Sequence, residues 1–300
     1  MPELHDGTAD AGAGTFAAGP APLFAPLAAA GLPAPRAADD HQDDPFAPLL
    51  HAAAAATTGV PARLPRHRLL ERVARSAGAA RSKHTCRHAD TVPTPVAEGV
   101  IARALYRASA LPRRRGEPEA VTLLELAPGA RWAGPGATHQ RDWLVLRGSL
   151  TLGDTPLATH DYHVAPAGAA GGPWHSERGA LLYQREAQTP PGGAPVPAQT
   201  QRTSEATWAD YAPGIKRRLL WQHESQAAML YHALPGAAVP HHSHEHDEEC
   251  LMLAGDFFLD EVLLRQLDYQ IAPAGSEHHT SNTDTGVLIY AHGDLDLALK

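Results

Sequence analysis

Residues 236–249 read Gly236-Ala-Ala-Val-Pro-His-His-Ser-His-Glu-His-Asp-Glu-Glu249 and concentrate metal-ligating side chains in one short stretch. Residues two apart in a β-strand point to the same face, so His242 and His244 project side by side. Glu248 keeps that parity after a tight turn, and the segment Pro273-Ala-Gly-Ser-Glu-His278 supplies another imidazole from a strand that turns back. Three neutral imidazoles and one carboxylate are typical ligands of a borderline divalent metal. We therefore predict a metal site formed by His242, His244, Glu248 and His278.

An internal repeat places this stretch in the second of two similar units. Gly99-Val100 and Gly214-Ile215 match at a spacing of 115 residues, and every later match has a spacing of 107. The first copy therefore carries 8 additional residues, which we place in the polar loop at 112–117. The later matches are Gly129 with Gly236, Gly148 with Gly255, Asp161-Tyr162 with Asp268-Tyr269, and Pro166-Ala-Gly168 with Pro273-Ala-Gly275.

Composition and the repeat divide the chain into four segments. Residues 1–84 form an Ala/Pro-rich extension, which we expect to be largely disordered or partly helical, with one short helix between Pro65 and Gly78. Residues 85–188 and 205–300 form the two copies, and the Pro-rich segment 189–204 links them. In both copies, short runs bounded by Gly, Pro, Asp and Asn are typical of an all-β barrel or sandwich.

The composition excludes several classes of function. The 300 residues carry a formal net charge of −8, and the isoelectric point is near 6.1, which argues against a nucleic-acid partner. Two cysteines are too few for a disulfide scaffold or a four-cysteine zinc module. The first residues lack the basic region of a signal peptide, and prolines interrupt the apolar stretch 17–34. We therefore expect no membrane partner and a cytoplasmic protein with reduced thiols.

The first copy has lost the predicted ligand set. The residues 107 positions before the four ligands are Pro135, Ala137, Arg141 and Gly171, and none of them binds a divalent metal well. We therefore predict that the first barrel holds no metal and acts as a structural or ligand-sensing partner packed on the second.

The two metal-ligating segments resemble the paired motifs of the cupin superfamily. The motif Gly-x5-His-x-His-x3-Glu-x6-Gly is matched from Gly236 to Gly255, and Pro-x-Gly-x2-His-x3-Asn is matched from Pro273 to Asn282. The resemblance implies two tandem cupin barrels, each a double-stranded β-helix or jelly roll, with one metal in the second barrel on the four ligands named above. Leu267 stands where the second motif usually opens with Gly, so we expect that turn to differ in shape.

More narrowly, the second copy is similar to the ChrR group of cupins. The similarity lies in the pair Glu248-Glu249, the turn Asp268-Tyr269 and the segment from Pro273 to His278. It implies either an anti-sigma factor with a metal-binding cupin or an oxygenase related to the acetylacetone and dihydroxyacetophenone dioxygenases. The His-x3-Cys-x2-Cys element of the ChrR zinc domain has no match here, because Cys86 stands alone. That departure weakens the prediction of a sigma-factor partner.

The resemblance leaves two functions open, and with them the question of whether the protein is an enzyme. The one we favour is a regulatory or sensing bicupin, in which metal, oxidant or small-ligand occupancy alters contact with a protein partner such as a sigma factor. The other is an iron(II)-dependent dioxygenase that cleaves a diketone or an aromatic ketone. A structural metal site is a third, weaker option. In each case we expect a homodimer with one divalent transition metal, zinc or iron(II) before manganese or nickel. The regulatory and dioxygenase functions also place an oxygen or small-molecule ligand on the metal.

Overall fold

The computed structural model describes most of the chain from residue 83 onward. The predicted extension and its helix lie outside the described residues, except for His67, Arg68 and Leu70, which are helical. Within the described part, no helix is long and apolar enough to cross a membrane. The described residues are these three and the ranges 83–108, 117–134, 138–169, 172–188 and 196–299.

Ten strands precede residue 188, with a 3-10 turn at His88–Asp90. The strands are β1 (His84–Cys86), β2 (Thr94–Ala97), β3 (Val100–Arg107), β4 (Pro118–Leu126), β5 (Arg131–Trp132), β6 (Gln140–Leu152), β7 (Thr155–Ala158), β8 (Tyr162–Ala165), β9 (Trp174–His175) and β10 (Ala180–Ala187).

Thirteen strands follow residue 196, with a matching 3-10 turn at Thr203–Glu205. The strands are β11 (Gln199–Gln201), β12 (Ala209–Ala212), β13 (Ile215–His223), β14 (Gln226–Ala233), β15 (Ala238–Val239), β16 (His242–Ser243), β17 (Glu248–Leu259), β18 (Val262–Arg265), β19 (Tyr269–Ala272), β20 (Glu277–His278), β21 (Ser281–Asn282), β22 (Val287–Asp294) and β23 (Ala298–Leu299).

Each copy contributes most strands of one large antiparallel sheet. One large sheet has the order β11-β8-β6-β10-β4-β3-β2, and the other has the order β1-β19-β17-β22-β14-β13-β12. The long strands β6 and β17 each make two sets of pairings. The later residues of β6 also pair with the short strands β7 and β9, and those of β17 with β18 and β21. The predicted all-β class is confirmed.

The first strand of each copy pairs with the other copy. β1 adds to the edge of the second barrel, with Thr85 opposite Gln270, and β11 adds to the first barrel, with Thr200 opposite His163. The sequence-based division differs at both points, because it assigned Thr85 and Cys86 to the first barrel and placed 199–201 in the linker. Thr85 and Gln270 are 185 positions apart, and Thr200 and His163 are 37 apart. Neither pairing leaves a mark on local sequence, which explains the difference.

An apolar layer joins the two barrels. Leu123 and Tyr183 of the first copy and Leu251 and Tyr290 of the second are buried in one continuous cluster. The two tyrosine rings lie 4.7 Å apart between centroids. Separate apolar clusters fill the inside of each barrel, so β17 alternates between the two surroundings: Leu251 faces the interface and Met252 faces the barrel interior.

A buried ion pair crosses this apolar layer. The Nε of Arg185 on β10 lies 2.6 Å from a carboxylate oxygen of Glu249 on β17, and both side chains are almost completely buried. Glu249 also accepts hydrogen bonds from the hydroxyls of Tyr183 and Tyr269. Because a buried charge is costly without partners, these contacts fix how β10 and β17 face each other.

The turn at Leu267 keeps the shape that glycine would give it. Leu267 has φ of +66°, as does His160 at the matching position in the first copy. Its amide donates to the carbonyl of Met252, which holds the residue in this left-handed conformation. The expected change in turn shape is therefore wrong, and Leu267 instead adopts a strained left-handed backbone conformation.

Candidate metal centre

Three short elements bring the four predicted ligands together. β16 pairs with β20, and His242 lies directly opposite His278. His244 follows β16, and Glu248 is the first residue of β17. The first three are brought together as strand parity predicts, and His278 joins them through the pairing of β16 with β20; their role as metal ligands stays a prediction.

The ligand atoms of His242, His244 and Glu248 lie within 4.8 Å of one another, close enough to share one ion. The Nε2 atoms of His244 and His278 lie 3.2 Å and 3.3 Å from the same Glu248 oxygen. The ring of His242 is 5.0 Å from that of His244 and 5.5 Å from that of His278, between centroids. The histidines are buried, and Glu248 is almost so.

Unpartnered nitrogens show that the donor set fits a metal. Within the part of the chain that the structure describes, both ring nitrogens of His244 and the Nε2 of His278 have no hydrogen-bond partner although they are buried. A buried polar atom left in this way costs about 1–3 kcal/mol. A divalent cation held by Nε2 of His244, Nε2 of His278 and Glu248 would remove that cost for these two nitrogens, while Nδ1 of His244 would keep the ring proton.

Neighbouring oxygens orient two of the imidazoles. The Nδ1 of His242 lies 2.7 Å from the carbonyl oxygen of Pro240, and the Nδ1 of His278 lies 3.3 Å from a carboxylate oxygen of Asp260. A proton on Nδ1 of His242 satisfies its contact and leaves Nε2 free to bind a metal. The same tautomer of His278 requires Lys83, 2.9 Å from Nδ1, to direct its own hydrogens to Asp260 and to the carbonyl of Glu277.

Asp260 and Lys83 complete the surroundings of His278, and sequence reasoning missed both. Lys83 precedes β1 and reaches the second barrel because β1 pairs there; its ammonium lies 2.6 Å from Asp260 and 2.9 Å from His278 Nδ1. Asp260 also accepts backbone N–H groups of His279 and Thr280. Burial acts to raise the pKa of Asp260, but its bonds with His278 and Lys83 lower it well below the usual range.

The surroundings keep Glu248 charged and two imidazoles neutral. Burial lowers the pKa of His242 and of His244. Burial alone would raise the pKa of Glu248, but the three imidazoles lower it to about 2. Burial likewise acts to lower the pKa of His278, yet the carboxylates of Asp260 and Glu248 raise it above its ordinary value. His278 is therefore the ligand for which protons compete most strongly with a metal.

A small cavity adjoins the ligands inside the second barrel. It encloses about 60 Å³, and its wall includes His242 and Glu248 on one side. The rest of the wall is mainly apolar and includes Tyr231, Phe257 and Ile289. A cavity needs ~10–15 Å³ to hold one water molecule, so this one is large enough to be hydrated. A ligand of similar size can therefore lie against the metal-binding side chains.

Bulky side chains fill the same region of the first barrel. Three residues of the cavity wall, Cys250, Ser281 and Ala291, correspond at the spacing of 107 to Trp143, Trp174 and Gln184. The two tryptophans pack edge to face with centroids 5.1 Å apart, and the indole of Trp143 donates to Gln184. The first barrel has thus replaced an internal cavity with packed aromatic rings.

The described part of the first barrel offers no comparable ligand set. Among the described residues, groups of three or more metal-ligating side chains occur in the second barrel alone. Arg141, which stands where Glu248 does, is buried and pairs with Glu186 at 3.2 Å. Pro135, Ala137 and Gly171 lie outside the described residues.

Comparison with known proteins agrees with this architecture. Residues 197–296 match the family model of the ChrR cupin-like domain. No curated protein matches the chain.

Solved structures with similar folds cover both barrels. A protein of Nostoc punctiforme described as a “putative dioxygenase” has a TM-score of 0.55 at 16% identity, over 72% of this chain and 84% of that one. A “putative glyoxylate induced protein” of Pseudomonas aeruginosa has a TM-score of 0.57 at 15% identity, over 71% and 89%. A variant of Bacillus subtilis oxalate decarboxylase OxdC has a TM-score of 0.55 at 16% identity, over 71% and 78%. Residues 197–296 therefore match a ChrR cupin-like domain, and over about 70% of its length the chain shares the fold of these solved structures.

Proposed function

We propose that the second barrel binds one divalent transition metal and presents it to a small anionic molecule in the adjoining cavity, as a metal-dependent dioxygenase would. The observation that carries this proposal is a shared wall, because His242 and Glu248 belong both to the ligand group and to the cavity surface. When bound, a redox-active ion such as iron(II) would supply electron transfer to dioxygen, whereas zinc would supply Lewis acidity alone.

The charge of the site favours an anion. Glu248 is the one carboxylate of the group, so a divalent ion would leave about one net positive charge there. The mainly apolar wall gives that charge little competition from other polar groups. An oxygen anion with a short hydrocarbon body satisfies both requirements.

The cavity wall has no side chain suited to take a proton from the substrate at neutral pH. Apart from the proposed ligands, the ionisable groups of the wall are Cys250, Tyr211 and Tyr231 among the described residues. Burial raises the pKa of all three, so each keeps its own proton. A substrate must therefore ionise without their help, and a β-diketone, which forms an enolate readily, meets this condition. The volume favours a short aliphatic diketone over an aromatic ketone.

A regulatory function is the second candidate, and one contact favours it. Glu249, which follows the proposed ligand Glu248, is ion-paired across the interface to Arg185 of the first barrel. Metal or ligand occupancy that shifts the start of β17 would act directly on this pair. In that case the first barrel would transmit the state of the metal site to a protein partner such as a sigma factor.

Metal analysis followed by oxygen uptake tests these proposals. The full chain is purified without air, its metal content is measured, and oxygen consumption is followed with acetylacetone. His244→Ala/His278→Ala should lose the tightly bound metal and the uptake, whereas His175→Ala, a histidine of the first barrel, should keep both. Rapid uptake that depends on the ligand pair supports the dioxygenase. One metal per chain without uptake overturns it and supports regulation, and a chain that binds no metal overturns both.

A further inference from the structure

A second group of metal-ligating side chains lies on the opposite face of the β16–β20 pair. His241 comes directly before β16, Glu277 opens β20, and His279 comes directly after it. Because side chains alternate along a strand, these three residues face away from the barrel interior, while His242 and His278 face into it. The same two strands thus carry one ligand group on each face.

The three outer side chains converge on one point. The Nε2 of His241 lies 3.0 Å from a carboxylate oxygen of Glu277. The rings of His241 and His279 are 4.4 Å apart between centroids, and one ligand atom from each of the three residues fits within 4.8 Å of the others. His241 and Glu277 are each about one-third exposed, at 33% and 35%, and His279 is exposed. An ion can therefore enter from solvent.

We infer that His241, Glu277 and His279 form a second site for a divalent transition metal. Two imidazoles and one carboxylate are suitable ligands for Zn²⁺, Ni²⁺ or Cu²⁺, with the remaining coordination positions open to water. The site is separate from the proposed internal centre, because its side chains lie on the other side of the strands. Its exposure means that the ligands lose more side-chain freedom on binding, so its affinity is the weaker of the two.

Occupation of the outer site would tie the two strands together. His241 precedes β16 and the other two residues belong to the β20 segment, so one ion would join the two strands that hold His242 and His278. The outer ion would thereby restrict the movement of two internal ligands.

Zinc titration of the metal-free full chain tests the outer site directly. We expect two equivalents per chain, one tight and one at least tenfold weaker, and His241→Ala/His279→Ala should remove the weaker one alone. The matched control is His5→Ala/His41→Ala/His51→Ala, which removes more histidines from the N-terminal extension and should leave both equivalents. His244→Ala/His278→Ala should retain the weaker equivalent.

The possible results separate this site from the proposed function. Two equivalents, with loss of the weaker one in His241→Ala/His279→Ala only, support the outer site whether or not the protein consumes oxygen. A single equivalent in the wild-type chain, or a weaker equivalent that survives the outer double variant, overturns it. Equal urea midpoints of the metal-free variants confirm that the exposed substitutions leave the fold intact.

Discussion

The substitution Asp260→Asn should weaken metal binding at the internal centre without touching a ligand. An asparagine oxygen can still accept the backbone N–H groups of His279 and Thr280, which lie 2.7 Å and 3.3 Å from the present carboxylate. Its amide group would then face Nδ1 of His278, where Lys83 already places an ammonium. With donors on both sides, Nδ1 is driven to accept, and the ring proton moves to Nε2, which the metal needs free.

The expected loss of affinity is about 10–100-fold, the range usual for partners that orient a metal-bound histidine. This corresponds to about 1.4–2.7 kcal/mol of binding free energy. The substitution also leaves buried Lys83 without its carboxylate, and breaking such a pair costs about 3–5 kcal/mol of stability. Lys83→Met/Asp260→Asn removes this second effect, so the double variant separates loss of stability from loss of orientation.

Competition with a chromophoric chelator measures the zinc affinity of wild type and both variants, and urea unfolding of the metal-free proteins measures stability. We expect Asp260→Asn to be weaker in both measurements. The double variant should regain part of the stability. A zinc dissociation constant within twofold of wild type in folded Asp260→Asn would refute the orienting role of Asp260.

Three further predictions concern the interface, a close backbone approach and protons. Arg185→Met leaves the buried carboxylates of Glu249 and Asp142, now 2.6 Å and 3.6 Å from the guanidinium, without their cation. The unfolding free energy should fall by about 3–5 kcal/mol, and an unchanged urea midpoint would contradict this. Gly255→Ala combines a φ of +75° with a methyl group that collides with the carbonyl of Gly286, and should cost about 2–5 kcal/mol. Gly236→Ala, at φ of +80° in open space, should lose only about 1–2 kcal/mol, and equal losses in the two variants would show that the collision is unimportant. The pKa of His278 is raised, so protons compete with metal for this residue as the pH falls. Zinc affinity should therefore begin to decline at a pH above about 6.5, and an affinity that stays constant down to pH 6 would exclude this competition.

Local periodicity was sufficient to predict that three of the proposed ligands lie close together, whereas His278 comes from a segment 30 residues further along the chain. The parity of His242, His244 and Glu248 depends only on residues close in the chain, and the constant spacing of 107 identifies the two barrels. The same spacing pairs Trp143 of the first barrel with Cys250 of the second. Once Cys250 is known to line the cavity, this pairing indicates that the first barrel is filled at that position and the second is open.

Contacts between distant residues could not be predicted in this way. Lys83 and Asp260 are 177 positions apart, and their pairing depends on β1 crossing to the second barrel. A strand of three residues has too little pattern to reveal its partner. Residue type is also an incomplete guide to local backbone shape. Leucine disfavours the left-handed conformation, yet Leu267 adopts it where the surrounding backbone hydrogen bonds require it.

The crossing of β1 and β11 has a consequence during synthesis on the ribosome. At about 5–20 residues per second, β1 emerges roughly 10–40 s before β19, its partner in the later half of the chain. Meanwhile β8 of the nascent first barrel is paired with β6 on one side alone until β11 has been made. An uncovered edge of this kind readily joins another chain, so the interval before residue 201 emerges is when newly made copies are most exposed to mispairing. If the two barrels were made as separate chains, each would keep an uncovered strand edge until it met the other.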